Sequence, residues 1–372
     1  MQVLRVVPKI YYFKTYKEFN DEFKIGKRDV VLTNKWIYTP YMQPLKINTN
    51  VIFQEKFGAG EPTDEMIDAI AQEMRKYDYD RIIAFGGGTI ADICKVLALD
   101  FGDKCLGLFT GEIKPVKKKE LIVVPTTCGS GSEVTSAAVA ELLSLHIKKG
   151  MAVEETFPDI ACLIPEPLTG LPYEFFVTSS IDALVHAIES YLSPRATPFT
   201  EMYSLKAIEM IMAGYKAIVD KGEDERMKHL DDFTLASCYA GIAFGNAGLA
   251  AVHALAYYMC TAFHVAHGEA NYLFFTEIFK MYQKKDPGGK IINCNKIIAN
   301  VLGCPADDKV YDRLEEFLNK LIAKKPLREY GMTEAQIDEF SDSTVGNQQG
   351  LLVNNYVFLD RAEIREIFAN LY

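Results

Sequence analysis

Up to about residue 165 the chain alternates short apolar runs with segments of helical periodicity. Val30-Val31-Leu32, Val51-Ile52-Phe53, Arg81-Ile82-Ile83-Ala84-Phe85 and Leu121-Ile122-Val123-Val124 predict short buried strands. From Pro62 to Tyr77, the residues Met66, Ile67, Ile70 and Met74 recur at helical spacing behind Thr63, a suitable N-cap. Another helix is predicted after Gly86-Gly87-Gly88-Thr89, through Leu99. Strands and helices in alternation imply an α/β layer fold. From about Leu168 the β-branched runs disappear. Helical patterns cover Phe175 to Leu192, Thr200 to Asp220, Leu230 to Phe244, Leu249 to Phe263 and Asn271 to Tyr282, so the second half is predicted all-helical. Pro165-Glu166-Pro167 marks the change, giving residues 1–167 as an α/β domain and 168–372 as a helical domain.

A length of 372 residues exceeds what one core usually supports, which agrees with two domains. The formal net charge of −10 repels phosphate backbones, so no nucleic-acid partner is expected. Met1 to Ile10 alternates apolar and basic residues and lacks the apolar stretch and cleavage site of a signal peptide. No apolar run approaches the ~20 residues of a membrane span. The eight cysteines are scattered without a CxxC pair and read as reduced thiols, most of them small core residues. A cytoplasmic protein with no membrane partner is expected.

Candidate chemistry lies in three places. Gly86, Gly87, Gly88 and Thr89 stand between a strand and a helix, where bare glycines let a pyrophosphate approach the free N–H groups of the helix start. A tight turn with no ligand would have the same residues, and the spacing is not GxGxxG. Pro125 to Glu133 follows a strand and is dense in hydroxyls and glycine, which suits a sugar- or phosphate-lined cleft or, equally, a solvent loop. Third, Asp182 and His186 share one helix face, His253 opens a second apolar helix, and His267 follows it. Singly, each histidine fits a core imidazole bonded to a carbonyl. Together, one carboxylate and three imidazoles suit Fe²⁺ or Zn²⁺ with a position left for a substrate oxygen.

These segments resemble the motifs of the iron-containing (group III) alcohol dehydrogenases. Gly86-Gly87-Gly88-Thr89-Ile90-Ala91-Asp92-Ile93-Cys94-Lys95 is similar to GGGSxxDxAK, and Pro125 to Thr135 to PTTxGTGSEVT. Ile181 to Glu189 is similar to MDALTHAIE, and Val252-His253 and His267-Gly268 match the remaining histidines at the family spacing. The resemblance implies an N-terminal dinucleotide-binding α/β domain and an all-helical domain, the fold shared with dehydroquinate synthase, with the active site in the cleft between. It implies metal ligands Asp182, His186, His253 and His267, holding Fe²⁺ or, alternatively, Zn²⁺. It places NAD on Asn34, Gly86, Gly87, Gly88, Thr89, Thr126, Thr127, Ser130 and Lys148, and it implies a homodimer.

Three positions depart from the pattern. Asn34 stands where many members have an aspartate that holds the adenosine ribose. Tyr257 replaces a proton-relaying histidine; a tyrosine hydroxyl donates a hydrogen bond but does not exchange protons near neutrality, so His264 is the substitute candidate. Asn354-Asn355-Tyr356 replaces NPR. The Gly58 to Glu65 and Leu145 to Gly150 stretches and the overall length resemble the branch of the family, from anaerobic bacteria, that acts on 4-hydroxybutyrate. The implied reaction is hydride transfer between NAD(H) and that small alcohol or its aldehyde. The alternatives are a general short-chain alcohol dehydrogenase of the butanol or propanediol type, a dehydroquinate synthase-like lyase, and a non-catalytic NAD-binding protein.

Overall fold

A computed structural model describes residues 2–372. The chain forms two compact units: Val6–Leu171, and Pro172–Tyr372 together with the segment ending at Arg5. The break falls after Leu171 rather than at 167/168. The turn Glu166–Gly170 is bound to the first unit, since the Glu166 carboxylate accepts from the Tyr16 N–H at 2.7 Å and the Tyr41 hydroxyl donates to the Pro167 carbonyl at 3.3 Å.

The first unit carries a six-stranded parallel sheet in the order β1-β8-β5-β4-β2-β3. Its strands are β1 (Lys9–Tyr12), β2 (Asp29–Thr33), β3 (Asn50–Phe53), β4 (Arg81–Gly86), β5 (Glu120–Pro125) and β8 (Ile160–Leu163). A separate antiparallel hairpin pairs β6 (Ala137–Leu142) with β7 (Ile147–Ala152). The central strands read as continuous apolar runs because both faces are covered. Val30, Leu32, Ile82, Ala84, Leu121 and Val123 point into a core with Ile67 and Ile70 of the Asp64–Met74 helix and Ile90 and Ile93 of the Gly88–Leu97 helix. Their neighbours Val31, Ile83, Phe85, Ile122 and Val124 point the other way, onto Tyr16 and Phe19 of the Tyr16–Phe23 helix. Each of these Val, Leu, Ile and Phe side chains contributes about 1.5–3 kcal/mol on full burial. Thr63 caps its helix as expected, accepting from the Met66 N–H at 3.1 Å.

The strands β1 and β8 and the hairpin were not legible as periodic runs. Ala137-Ala138-Val139-Ala140-Glu141-Leu142 is built from good helix formers, and only its packing makes it a strand.

The second unit is helical, with no strand among its described residues. Its central helix, Tyr173–Leu192, is buried almost all round and packs against Pro198–Lys221, Leu230–Ala247 and His267–Lys285. Leu230–Ala247 and Ala251–Phe263 meet at a 105° bend. Gly248 makes the bend: its φ is +83°, and a Cβ there would lie 2.7 Å from the Asn354 amide nitrogen. Five further helices, Ile291–Leu302, Val310–Leu318, Ala335–Asn347, the single turn Gln349–Leu352 and Arg361–Leu371, lie in the unit beyond the sequence-predicted set. No single helix among the described residues is long and apolar enough to cross a membrane.

Candidate functional site

The helical unit brings Asp182, His186, His253 and His267 together. One ligand atom from each lies within 4.8 Å of the others, with the first three buried and His267 at the open side. Asp182 and His186 project from adjacent turns of the central helix, and the His186 Nε2 is 3.5 Å from the Asp182 carboxylate. His253 enters from the first turn of Ala251–Phe263, its Nε2 3.7 Å from the same oxygen and its ring stacked on His186. His267 is the first residue of His267–Lys285, with Nε2 at 3.9 Å. Gly268 permits that approach: a Cβ there would stand 2.5 Å from the Thr178 carbonyl oxygen and 3.4 Å from the Asp182 Cβ.

Glu189 orients the second helix and its imidazole. Its buried carboxylate accepts from the N–H groups of Ala250 at 3.0 Å and Val252 at 2.7 Å, and lies 2.7 Å from the His253 Nδ1. The proton on Nδ1 therefore faces Glu189, and Nε2 turns its lone pair into the cluster. Asn271 also points inward. Its amide nitrogen lies 2.7 Å from the Asp182 Oδ1, 3.1 Å from the His253 Nε2 and 3.2 Å from the His267 Nε2. Burial raises the Asp182 pKa, but His186, His267, His253 and the Asn271 amide outweigh it and hold the carboxyl below its ordinary value. A buried carboxylate with converging imidazole lone pairs is the donor set of a divalent-cation site, so these residues fit a metal ion.

The first unit builds a second site at the C-terminal edge of its sheet. β4 ends at Gly86, and Gly87 is the N-cap of Gly88–Leu97 with no side-chain hydrogen bond to the helix amides. The Pro125 to Glu133 loop lies against this turn. The Thr126 N–H donates to the Gly86 carbonyl at 3.1 Å, a Cβ on Gly87 would be 3.4 Å from Thr127, and one on Gly88 would be 3.2 Å from Ser130. Thr89 is in the first turn, half-buried beside them. The Thr126 hydroxyl is buried without a hydrogen-bond partner. Bare helix amides and an unpaired hydroxyl fit a dinucleotide pyrophosphate.

A buried ionic cluster locks turn and loop together. The Lys95 ammonium donates to the Ser132 hydroxyl and the Ala137 carbonyl, both at 2.6 Å, while Asp92 accepts from the Ser132 hydroxyl at 2.8 Å and the Val139 N–H at 3.0 Å. Burial pulls Lys95 down to about 8, against the attraction of Asp92 and Glu133. Burial also pushes Glu133 up to about 7.

Lys148 is on β7, ion-paired with Glu61. Tyr257 is one turn beyond His253 on the same helix, and His264 is the exposed left-handed residue ending it, at φ 55°. Glu189, Asn271 and Gly268 were missed as site residues. Glu189 follows Asp182 by two helical turns on the same face, which is the signal that could have found it.

Residues 8–165 match the iron-containing alcohol dehydrogenase family, and residues 176–372 match the C-terminal part of the Fe-containing alcohol dehydrogenase family. The chain belongs to the iron-containing alcohol dehydrogenases. It is 52% identical over 372 residues, the whole of both chains, to a 4-hydroxybutyrate dehydrogenase of Clostridium kluyveri. It is 30% identical to long-chain-alcohol dehydrogenase 1 of Geobacillus thermodenitrificans, covering 83% of this chain and 79% of that one. Among solved structures, an alcohol dehydrogenase from Oenococcus oeni superposes with a TM-score of 0.85 at 22% identity, covering 99% of this chain and 100% of that one. A sulfoacetaldehyde reductase from Bifidobacterium kashiwanohense in complex with NAD⁺ superposes with a TM-score of 0.84 at 20% identity, covering 100% and 98%. These two show the shared fold.

Proposed function

We propose that the chain interconverts 4-hydroxybutyrate and succinate semialdehyde with NAD(H). The observation that carries this reading is the 52% identity over the full length of a 4-hydroxybutyrate dehydrogenase. In the oxidative direction the alcohol carbon gives a hydride to NAD⁺ and the hydroxyl proton leaves to solvent, yielding aldehyde, NADH and H⁺. A divalent ion supplies Lewis-acid polarisation of the reacting oxygen, and the nicotinamide ring carries the hydride.

The chain's own residues hold and orient these groups. Asp182, His186, His253 and His267 hold the ion, with Fe²⁺ the family metal and Zn²⁺ able to use the same ligands. Glu189 fixes the His253 tautomer, and Asn271 bonds the Asp182 oxygen. Gly86, Gly87, Gly88 and Thr89 receive the pyrophosphate, with Thr126, Thr127 and Ser130 beside it. Tyr257, at the motif position of the relay histidine, is a hydrogen-bond donor to the substrate oxygen, His264 is the substitute candidate for the proton relay, and Lys148 is a further cofactor contact. A cytoplasmic homodimer is part of the proposal. Cys94, Cys105, Cys128, Cys162, Cys238, Cys260, Cys294 and Cys304 are thiols and not disulfides in the structure, which supports a reducing compartment.

The test is the wild-type kcat/KM ratio for succinate semialdehyde against butyraldehyde. A site that pairs the substrate carboxylate favours the charged aldehyde by ~100-fold or more. A ratio near or below one would make the enzyme a general short-chain alcohol dehydrogenase.

A further inference from the structure

The sheet order puts three chain segments side by side at one edge. β4 ends in the glycine turn, β2 is its neighbour and ends before Asn34, and β3 lies beyond β2 and runs into the turn Gln54–Lys56. Neighbouring strands are about 4.8 Å apart, so these exits lie within about 10 Å of one another. In parallel α/β sheets this edge binds the dinucleotide, and an acidic side chain there takes the ribose 2′-hydroxyl.

Asn34 carries no charge, yet its position is not neutral. The Asn34 amide donates at 3.1 Å to Oε2 of Glu55, and Oε1 of Glu55 accepts from the Lys35 N–H at 2.8 Å. The same amide also donates to the Gln54 side chain at 3.1 Å. Glu55 is exposed, but these two bonds fix its carboxylate at the end of β2. Among the described residues it forms no ion pair: Lys56 lies over the Phe53 ring instead, 5.3 Å from its centre.

We infer that Glu55, tethered by Asn34, supplies the negative charge that selects NAD over NADP in this enzyme. The charge comes from the strand next along the sheet, so the acid is displaced in sequence and retained in space. Glu55 accepts a hydrogen bond from the ribose 2′-hydroxyl and repels a 2′-phosphate. An aspartate at position 34 would set a second carboxylate against the first. The inference rests on the NAD reading above.

The experiment reads binding, not turnover. The only tryptophan is Trp36, 58% exposed and two residues from Asn34, so its fluorescence reports dinucleotide binding to the full chain. NADH and NADPH are titrated into wild type, Glu55→Gln and Glu55→Asp. Wild type should bind NADH at least ~10-fold tighter than NADPH. Glu55→Gln should cut that ratio by ~10-fold, mainly by tightening NADPH, and Glu55→Asp should keep most of it. An unchanged ratio in Glu55→Gln, or equal binding of both dinucleotides by wild type, overturns the inference alone. Binding of neither dinucleotide by wild type overturns the NAD reading and the inference with it.

Discussion

The Glu189→Gln substitution tests how the metal cluster is aimed, because it changes one oxygen to nitrogen and almost nothing in volume. In the parent, Oε2 serves the Ala250 N–H at 3.0 Å and the His253 Nδ1 at 2.7 Å, and Oε1 serves the Val252 N–H at 2.7 Å. Glutamine keeps one acceptor oxygen and brings an NH₂ to the other place. If the oxygen faces Val252, the NH₂ faces both the Ala250 N–H, which loses its acceptor, and the His253 Nδ1, which must then accept. The ring proton moves to Nε2, where it points into the cluster and blocks the lone pair. If the oxygen faces His253, the buried Val252 amide loses its acceptor, at about 1–3 kcal/mol. Either orientation therefore leaves one buried backbone amide unpaired, against a total stability of roughly 5–15 kcal/mol, and either removes the carboxylate charge that stands behind His253. Metal affinity should fall 10–100-fold, the usual effect of removing the partner behind a ligand histidine. Metal content after dialysis against a buffered series of free Zn²⁺ or Fe²⁺ gives the affinity, and far-UV circular dichroism checks the fold. A folded Glu189→Gln protein with wild-type metal affinity would refute the argument that the carboxylate behind His253 sets the affinity of the cluster.

Two further outcomes follow from the packing. Gly268→Ala should lose metal while staying folded, because its Cβ would meet the Thr178 carbonyl oxygen at 2.5 Å and push the first residue of the helix, His267, away from Asp182; metal titration of the folded variant decides, and an intact site would show that the helix start tolerates the shift. Burial raises Glu133 from 4.5 to about 7, so its contribution to stability is full below about 4.5 and is lost as pH rises through about 7. Glu133→Gln removes that dependence, and the melting-temperature difference between variant and wild type should grow in the variant's favour from pH 5 to pH 8. A difference that stays flat with pH would mean that Glu133 keeps its charge at no cost beside Lys95.

What the sequence discloses depends on whether a signal is local. The central strands and the buried helices are legible because each carries its own apolar period. The metal residues are legible because Asp182 and His186 sit one turn apart and the other two histidines stand in apolar surroundings with few rivals, six histidines in all. The hairpin is illegible because Ala137 to Leu142 carries a single β-branched residue and takes its strand form from pairing with Ile147 to Ala152 and packing on the Gly88–Leu97 helix. The same holds for Glu55: nothing near it in sequence says that β3 lies next to β2, or that its carboxylate reaches the Asn34 amide across 21 positions. Asn271 is also hidden, since an asparagine four residues after a histidine is ordinary until Asp182, 89 positions earlier, is brought against it.

The two sites use one physical device in opposite senses. A helix N-terminus leaves backbone N–H groups without partners inside the helix. At Gly87 no side chain of the chain fills that place, the glycines keep the approach open, and the amides are left for a ligand's negative charge. At Ala251 the place is filled from within: Glu189 takes the amides of Ala250 and Val252, and the same carboxylate takes the His253 ring proton. The internal anion both caps the helix and aims the imidazole, so the direction of His253 is tied to the direction of its helix. A change that loosens the cap therefore also turns the ligand, whereas a change at Gly87, where a Cβ would come no nearer than 3.4 Å to Thr127, leaves the fold's own hydrogen bonds intact and reaches the cofactor.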